Sequence, residues 1–177
     1  MTSVAWALTG LLVLSALAWY LSATAQRLDR LHRRVETSRA ALDAELTRRA
    51  SAALEYATSG ELDPASSLVL ADAATASLDA PRTPPALRDA TDTDDAERWR
   101  VESDLSRALA AALPERDGPG LARVADAAHR VRLARRFHND AVVQTRRLRA
   151  KRLVRWARLA GHARLPETAD FDDGGDG

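Results

Sequence analysis

The chain contains no cysteine, and its one methionine is the first residue. Without cysteine there is no disulfide, no thiolate zinc site and no cysteine nucleophile, and nothing marks the redox compartment. Aromatic residues make up 5% of the sequence, too few to build the stacking platforms of single-strand nucleic-acid binders. Lysine is nearly missing, one against 25 arginines, which reads mainly as base bias of the coding sequence. A formal net charge of +1 gives no global electrostatic signature. No segment of useful length alternates polar with apolar at period two, and β-branched residues are scattered. HExxH, GxSxG, a Walker loop and a strand-associated GxGxxG are all absent. What remains is rich in alanine, leucine and arginine, side chains that lose little freedom in a helix. The expected fold is all-α, at a length suited to one domain with an appendage.

The first absence with a clear consequence is charge. No side chain from Met1 to Gln26 is ionisable as an acid or base at neutral pH. Val4 to Ala25, "VAWALTGLLVLSALAWYLSATA", forms about 33 Å of helix, which matches a hydrocarbon core of about 30 Å. Trp6 stands near one end and Trp19 with Tyr20 near the other, where amphipathic rings favour the two interfaces. Arg27, Arg30, Arg33 and Arg34 follow at once, so the positive-inside bias puts the N-terminus outside and the remainder in the cytoplasm, anchored once in the cell membrane. Two alternatives compete. "ATA" at Ala23 to Ala25 looks like a signal-peptide cleavage site, but no Lys or Arg precedes the apolar run and the run is long for a signal. A buried core helix would have to be apolar on all sides inside a domain too small to enclose it.

Residues 27–165 read as a helical bundle. Leu28, Leu31, Val35, Leu42 and Leu46 recur at helical steps or their multiples, and neither Gly nor Pro intervenes before Gly60. The membrane helix is therefore expected to continue to about Tyr56. Asp63 and Pro64 predict a cap and first turn for a second helix to about Leu78. "DAPRTPPALRDATDTDD" is a loop, after which Asp94 and Glu97 resemble a capping pair for a helix over about Asp95–Leu113. A last helix is expected from about Pro119 to Leu159. Residues 166–177, "PETADFDDGGDG", are acidic and Gly-rich and read as a disordered tail. Four helices with short connections make an antiparallel bundle in which the two long ones form the spine.

"RRFHNDAVV" raises the question of chemistry, because His138, Asn139 and Asp140 can each ligate a metal or move a proton. At about 100° per residue, His138 shares a stripe with Val124, Ala128, Val131, Ala141, Val142, Leu153 and Trp156. Asn139 sits at the edge of that stripe and Asp140 points away, so the three cannot converge on one ion. The plain reading is a hydrogen-bonded bundle histidine, an edge contact and a solvated charge, with no metal and no cofactor. The sharper one is a metal-binding or hydrolytic site that recruits Glu45 or Glu102 from facing helices. His32, His129 and His162 stand alone. Arg135 and Arg149 also fall on the stripe, where a guanidinium needs a partner or must reach water. Glu45 and Glu102 are again the candidates.

Two stretches carry a resemblance. "LDRLHRRVETSRAALDAELTRRA" follows the anchor, and "ARRFHNDAVV" lies in the last helix. Together with the order of anchor, long helix, shorter helices and long helix, they resemble the LemA family of small bacterial membrane proteins over about Met1 to Ala160. Arg48, Arg49, Arg135 or Arg136, and Asn139 take family-pattern positions. The chain departs from the family where "SAALEYA" follows the Arg pair, where His138 precedes Asn139, and where "TRRLRAKR" replaces a second Tyr-Asn. The resemblance implies an N-out anchor with a cytoplasmic helical bundle and implies no activity.

Charge is unevenly spread. Twelve basic residues and one acid lie between Arg130 and Arg164, against nine acids and two basic residues between Glu61 and Glu97. An antiparallel bundle returns the end of the last helix to the bilayer. Arg146, Arg147, Arg149, Lys151, Arg152 and Arg155 could then meet anionic lipid head groups, with Trp156 as an anchor. The same helix could bind nucleic acid through phosphates, but no groove-reading motif accompanies it. The expectation is a non-enzymatic scaffold or interaction module at the membrane face. Its protein partner is not named by the sequence, and self-association is left open.

Overall fold

A computed structural model of the protein describes residues 2–81, 92–112, 118–151 and 165–173. These residues form four helices: α1 (Thr2–Thr58), α2 (Pro64–Asp79), α3 (Asp92–Ala112) and α4 (Pro119–Arg149). No strand occurs among the described residues. The fold is an all-helical bundle with two long and two shorter members, the first of them apolar at its start.

Helix α1 is 57 residues long, about 85 Å at 1.5 Å per residue, and crosses the boundary at Gln26 without a break. It stops at Gly60, whose φ of 82° is a left-handed conformation that a side chain disfavours. Ser59 donates from both its backbone N and its hydroxyl to the Tyr56 carbonyl there. Asp63 caps α2 as its position suggests, its Oδ1 accepting from the backbone N of Ala65 at 3.1 Å and of Ser66 at 3.0 Å. Pro119 opens α4, and three arginines in its last turn suit the negative end of the helix dipole. That helix ends at Arg149, short of the expected Leu159; the Ala150 backbone N donates to Arg146 and the Lys151 N to Leu148, closing the last turn. Residues 152–164, and with them Leu153, Arg152, Arg155, Trp156 and His162, lie outside the described residues.

Cross-helix contacts fix the directions. Glu55 meets Arg123, Ser38 meets His138 and Leu28 meets Leu148, so α1 and α4 run antiparallel along α1 from Leu28 to Glu55. Arg39 pairs with Asp95 and Arg49 with Glu102, so α3 runs with α1. Helix α2 runs against both, with Ser67 on the Ala57 carbonyl and Ser77 on Glu102. The α1–α4 pair makes the most extensive contact and forms the spine.

The apolar core lies in three places. Around the end distant from the apolar segment, Ala53, Tyr56, Leu70, Ala74, Leu105 and Val124 are buried together. Gly120 belongs to this end: a Cβ on it would stand 2.7 Å from the Tyr56 ring, so only glycine lets α4 start so close to α1. In the middle, Leu42, Leu46, Trp99 and Val131 surround Ala169 and Phe171. At the other end Leu28 and Leu148 are buried against each other, with Leu31 beside them.

The middle cluster corrects one expectation. The tail was expected to be disordered over residues 166–177, yet residues 165–173 lie against the bundle without regular secondary structure, with Ala169, Phe171 and Asp173 buried. The acidic composition that argues for disorder in isolation is answered by arginines of the bundle. Residues 174–177 lie outside the described residues.

Candidate functional site

On α4, Arg135, His138, Asn139, Val142 and Arg146 are spaced by one, three and four residues, which sets them along one face. That face meets the segment 165–173, and the contacts run mainly to its backbone. Arg146 Nε donates to the Pro166 carbonyl at 2.7 Å. His138 Nε2 lies 3.3 Å from the Glu167 carbonyl. The Asn139 amide engages Ala169 twice: Nδ2 donates to its carbonyl at 3.2 Å, and Oδ1 accepts from its backbone N at 2.9 Å. Arg135 Nη1 donates to the Phe171 carbonyl at 2.9 Å, and Nη2 pairs with the Asp173 carboxylate at 2.8 Å. From α3, Ser103 Oγ accepts from the Asp172 backbone N at 3.1 Å. We describe this segment as a strap.

The strap inserts alternate side chains. Ala169, Phe171 and Asp173 are buried, while Asp170 and Asp172 are exposed. Phe171 stacks on Trp99 of α3 with ring centroids 5.2 Å apart and planes 20° from parallel. The Arg39 guanidinium covers the Trp99 ring at 4.3 Å, and Arg135 lies 5.4 Å from the centre of the Phe171 ring. Cations over aromatic faces are favourable, more so where water is excluded. Arg39 is held in turn by Asp95 at 2.6 Å and Asp43 at 3.6 Å.

Beneath the Phe171 pocket is a buried ionic cluster. Glu102 is 0% and Arg49 1% exposed. Arg49 Nη2 lies 2.9 Å from Glu102 Oε2, and Arg98 Nη2 lies 3.0 Å from Oε1, which also accepts from Ser77 Oγ at 3.0 Å. Arg49 further donates to Ser106 Oγ at 2.8 Å and to the Glu102 carbonyl at 3.1 Å. Burial pulls the Arg49 pKa below its ordinary value, against Glu102, whose charge and hydrogen bond hold it up. The guanidinium stays charged regardless.

The HND triplet therefore resolves into one buried ring, one half-buried amide and one exposed carboxylate. His138, 2% exposed, stands between Ser38 Oγ at 3.1 Å and the strap. Its Nε2 faces the Glu167 carbonyl and its Nδ1 faces Ser38 Oγ, whose hydroxyl donates to the Val35 carbonyl at 2.8 Å. The carboxylates that a metal reading would recruit are engaged elsewhere: Glu102 with two arginines, Glu45 with Arg48. Among the described residues no group of three His, Asp or Glu side chains is placed to hold a metal ion. Arg135 does meet a carboxylate, but it is Asp173 of the strap, not Glu45 or Glu102. Arg49 takes Glu102 instead.

Of the remaining expected positions, Arg48 and Arg136 are exposed on the bundle surface. Trp6, Trp19 and Tyr20 are exposed on the apolar part of α1, and Arg27 and Arg30 follow them, also exposed. Arg146, Arg147 and Lys151 are exposed at the end of α4 and Arg149 is half-buried. Sequence reasoning missed Arg39, Arg98, Trp99, Phe171 and Asp173. The available signal was the alternation in "ADFDD", a five-residue window of extended character.

His32 lies in the Leu28–Leu148 end of the spine. Its pKa is lowered from an ordinary 6.5, first by burial and then by Arg149 from α4, with Asp29 and Glu36 of its own helix acting the other way. No family model, curated protein or solved structure matches the chain.

Replacing Glu102 by leucine removes the carboxylate that two buried guanidinia share and is expected to destabilise the fold by about 3–5 kcal/mol, whereas Arg49→Met/Arg98→Met/Glu102→Leu together recovers most of that loss. Thermal melting in detergent micelles distinguishes them, and equal melting temperatures for the two would contradict the assignment. The folded form binds His32's proton less tightly than the unfolded chain does, so protonation favours unfolding. Stability should fall as pH drops through and below the ordinary value of 6.5, and His32→Gln should flatten that slope.

Proposed function

We propose that the protein is a non-enzymatic interaction module, anchored once in the cell membrane with its N-terminus outside and its bundle at the cytoplasmic face. One observation carries this reading. α1 is the one helix among the described residues long and apolar enough to cross a membrane, and its apolar part is exposed rather than buried. Val4, Trp6, Leu8, Leu11, Leu12, Val13 and Leu14 all face outward from the chain. A soluble protein's core helix would be covered, whereas an uncovered apolar rod of this length suits lipid. The arginines that follow it favour the orientation. The resemblance to the LemA family points the same way.

The bundle's base supports a second contact of the same module. Leu148 lies against Leu28, three residues or about 4.5 Å of helix past Ala25. The exposed Arg147 and Lys151 next to it are within about 8–10 Å of screening length from a surface at that height. Each such cation is worth about 1 kcal/mol against anionic lipid.

The native chain has no cysteine, so one introduced at the exposed Asp140 reports topology directly. A membrane-impermeant maleimide should label Asp140→Cys only after cells are permeabilised. Labelling of intact cells, or a mature chain beginning after Ala25, would overturn the anchor. For the lipid contact, a chain lacking residues 1–26 should bind anionic vesicles at low salt and lose at least about thirtyfold in affinity in Arg147→Glu/Lys151→Glu, since two cations worth about 1 kcal/mol each are removed and two acids added. Equal binding to neutral vesicles would remove the electrostatic part.

A further inference from the structure

We propose that the groove between α1, α3 and α4 is a binding site for an extended acidic segment of a partner protein, read as small–x–Phe–x–Asp, and that the chain's own strap occupies it in competition. This rests on the interaction-module reading and names its site.

Recognition of the strap is largely independent of the strap's identity. Arg146, His138, Asn139, Arg135 and Ser103 engage backbone groups of Pro166, Glu167, Ala169, Phe171 and Asp172. Any chain in the same extended form offers those groups, which is how peptide-binding grooves gain affinity from main chain and specificity from alternate pockets. The pockets here are three. One takes the small side chain of Ala169. One takes Phe171 against Trp99. One takes Asp173 on Arg135. The side chains between them point outward, so those positions are unconstrained beyond their charge.

The groove's walls are held by contacts that do not involve the strap. Trp99 is covered by Arg39, and Arg39 is fixed by Asp95 and Asp43. Arg49 is fixed by Glu102 and Ser106. α1 and α4 meet through Leu28 with Leu148, Ser38 with His138, and Glu55 with Arg123. A preformed, arginine-lined, aromatic-floored groove complements an acidic peptide carrying a phenylalanine. The strap, with acids at 167, 170, 172 and 173, is one such peptide.

The test uses the chain in detergent micelles and does not depend on its membrane orientation. The probe is a fluorescein-labelled synthetic peptide of residues 165–177. A chain ending at Arg164 should keep its helical circular dichroism and cooperative melt and bind this peptide. The full chain should bind it at least tenfold more weakly, because the groove is filled. A second peptide that keeps Ala169, Phe171 and Asp173 and carries serine at 166 and 168, aspartate at 167 and glutamate at 170 and 172 should bind within tenfold of the first. Phe171→Ala in either peptide, or Asn139→Ala or Arg135→Ala in the shortened chain, should weaken binding at least tenfold. Three results would overturn the proposal. The shortened chain could stay folded and bind neither peptide. The full chain could bind as tightly as the shortened one. The shortened chain could unfold, making the strap part of the core rather than an exchangeable ligand. The topology measurement can fail while this one succeeds, and the reverse.

Discussion

Glu102 carries a negative charge into a space that water does not reach, with Arg49 of α1 and Arg98 of α3 on its two oxygens and Ser77 of α2 beside them. Three helices thus meet at one carboxylate. A hydrophobic contact tolerates small slips, because apolar burial is non-directional. Charge-assisted hydrogen bonds do not, since moving Glu102 by one residue would take its carboxylate away from two buried guanidinia at once. The cluster is therefore a register device more than a source of net stability. This matters for a bundle of this composition, where alanine-rich faces such as Ala50, Ala53, Ala74 and Ala112 offer little shape to lock one rotation against another.

The groove inherits its geometry from that register. Arg49, held by Glu102, also reaches the Phe171 pocket, its guanidinium 6.0 Å from the centre of the ring. With α1 and α3 fixed to each other, Arg39 and Trp99 are brought into contact, and the stacked arginine leaves the other face of the indole for Phe171. α4 contributes the polar edge. Its Asn139 is suited to this work because a primary amide presents both a donor and an acceptor group, the pair that an extended residue's carbonyl and N–H require. An aspartate in that place would offer only acceptors, and a leucine neither.

Much of the frame was legible from periodicity and punctuation. The uninterrupted run from Arg27 to Gly60 gave a single long helix, Asp63–Pro64 gave the start of α2, and short connections implied antiparallel neighbours. Asp140 points away from His138 for a reason that needs only 100° per residue. The site was less legible because its partners are far apart in sequence. Nothing local tells Arg49 to choose Glu102 over Glu45, which is nearer along the chain but one turn away on the same helix. The strap was misjudged because the balance of apolar against charged residues is a property of an isolated segment. Its buried acid, Asp173, is paired by Arg135, and its one large apolar side chain lies against Trp99, Arg135 and Arg49, all of which come from elsewhere. Alternation over "ADFDD" was present, but two carboxylates on the outward face hid it as polarity.

The length of α1 links the two proposals. Arg39 is fourteen residues beyond Ala25 on an unbroken helix, about 20 Å at 1.5 Å per residue. With the apolar segment in the bilayer and α1 near the membrane normal, the Phe171 pocket beside Arg39 and Trp99 stands farther from the head groups than the about 8–10 Å over which their charge is felt. Arg147 and Lys151, at the base, lie inside that range. One bundle can then present arginines to two kinds of negative charge without the two competing: lipid at its foot, and an acidic peptide at mid-height where repulsion between that peptide and an anionic surface is screened. A helix with a glycine hinge near Arg27 would lose this separation, since the groove could tilt toward the membrane. The absence of Gly and Pro between Arg27 and Gly60 keeps the two surfaces at a fixed distance.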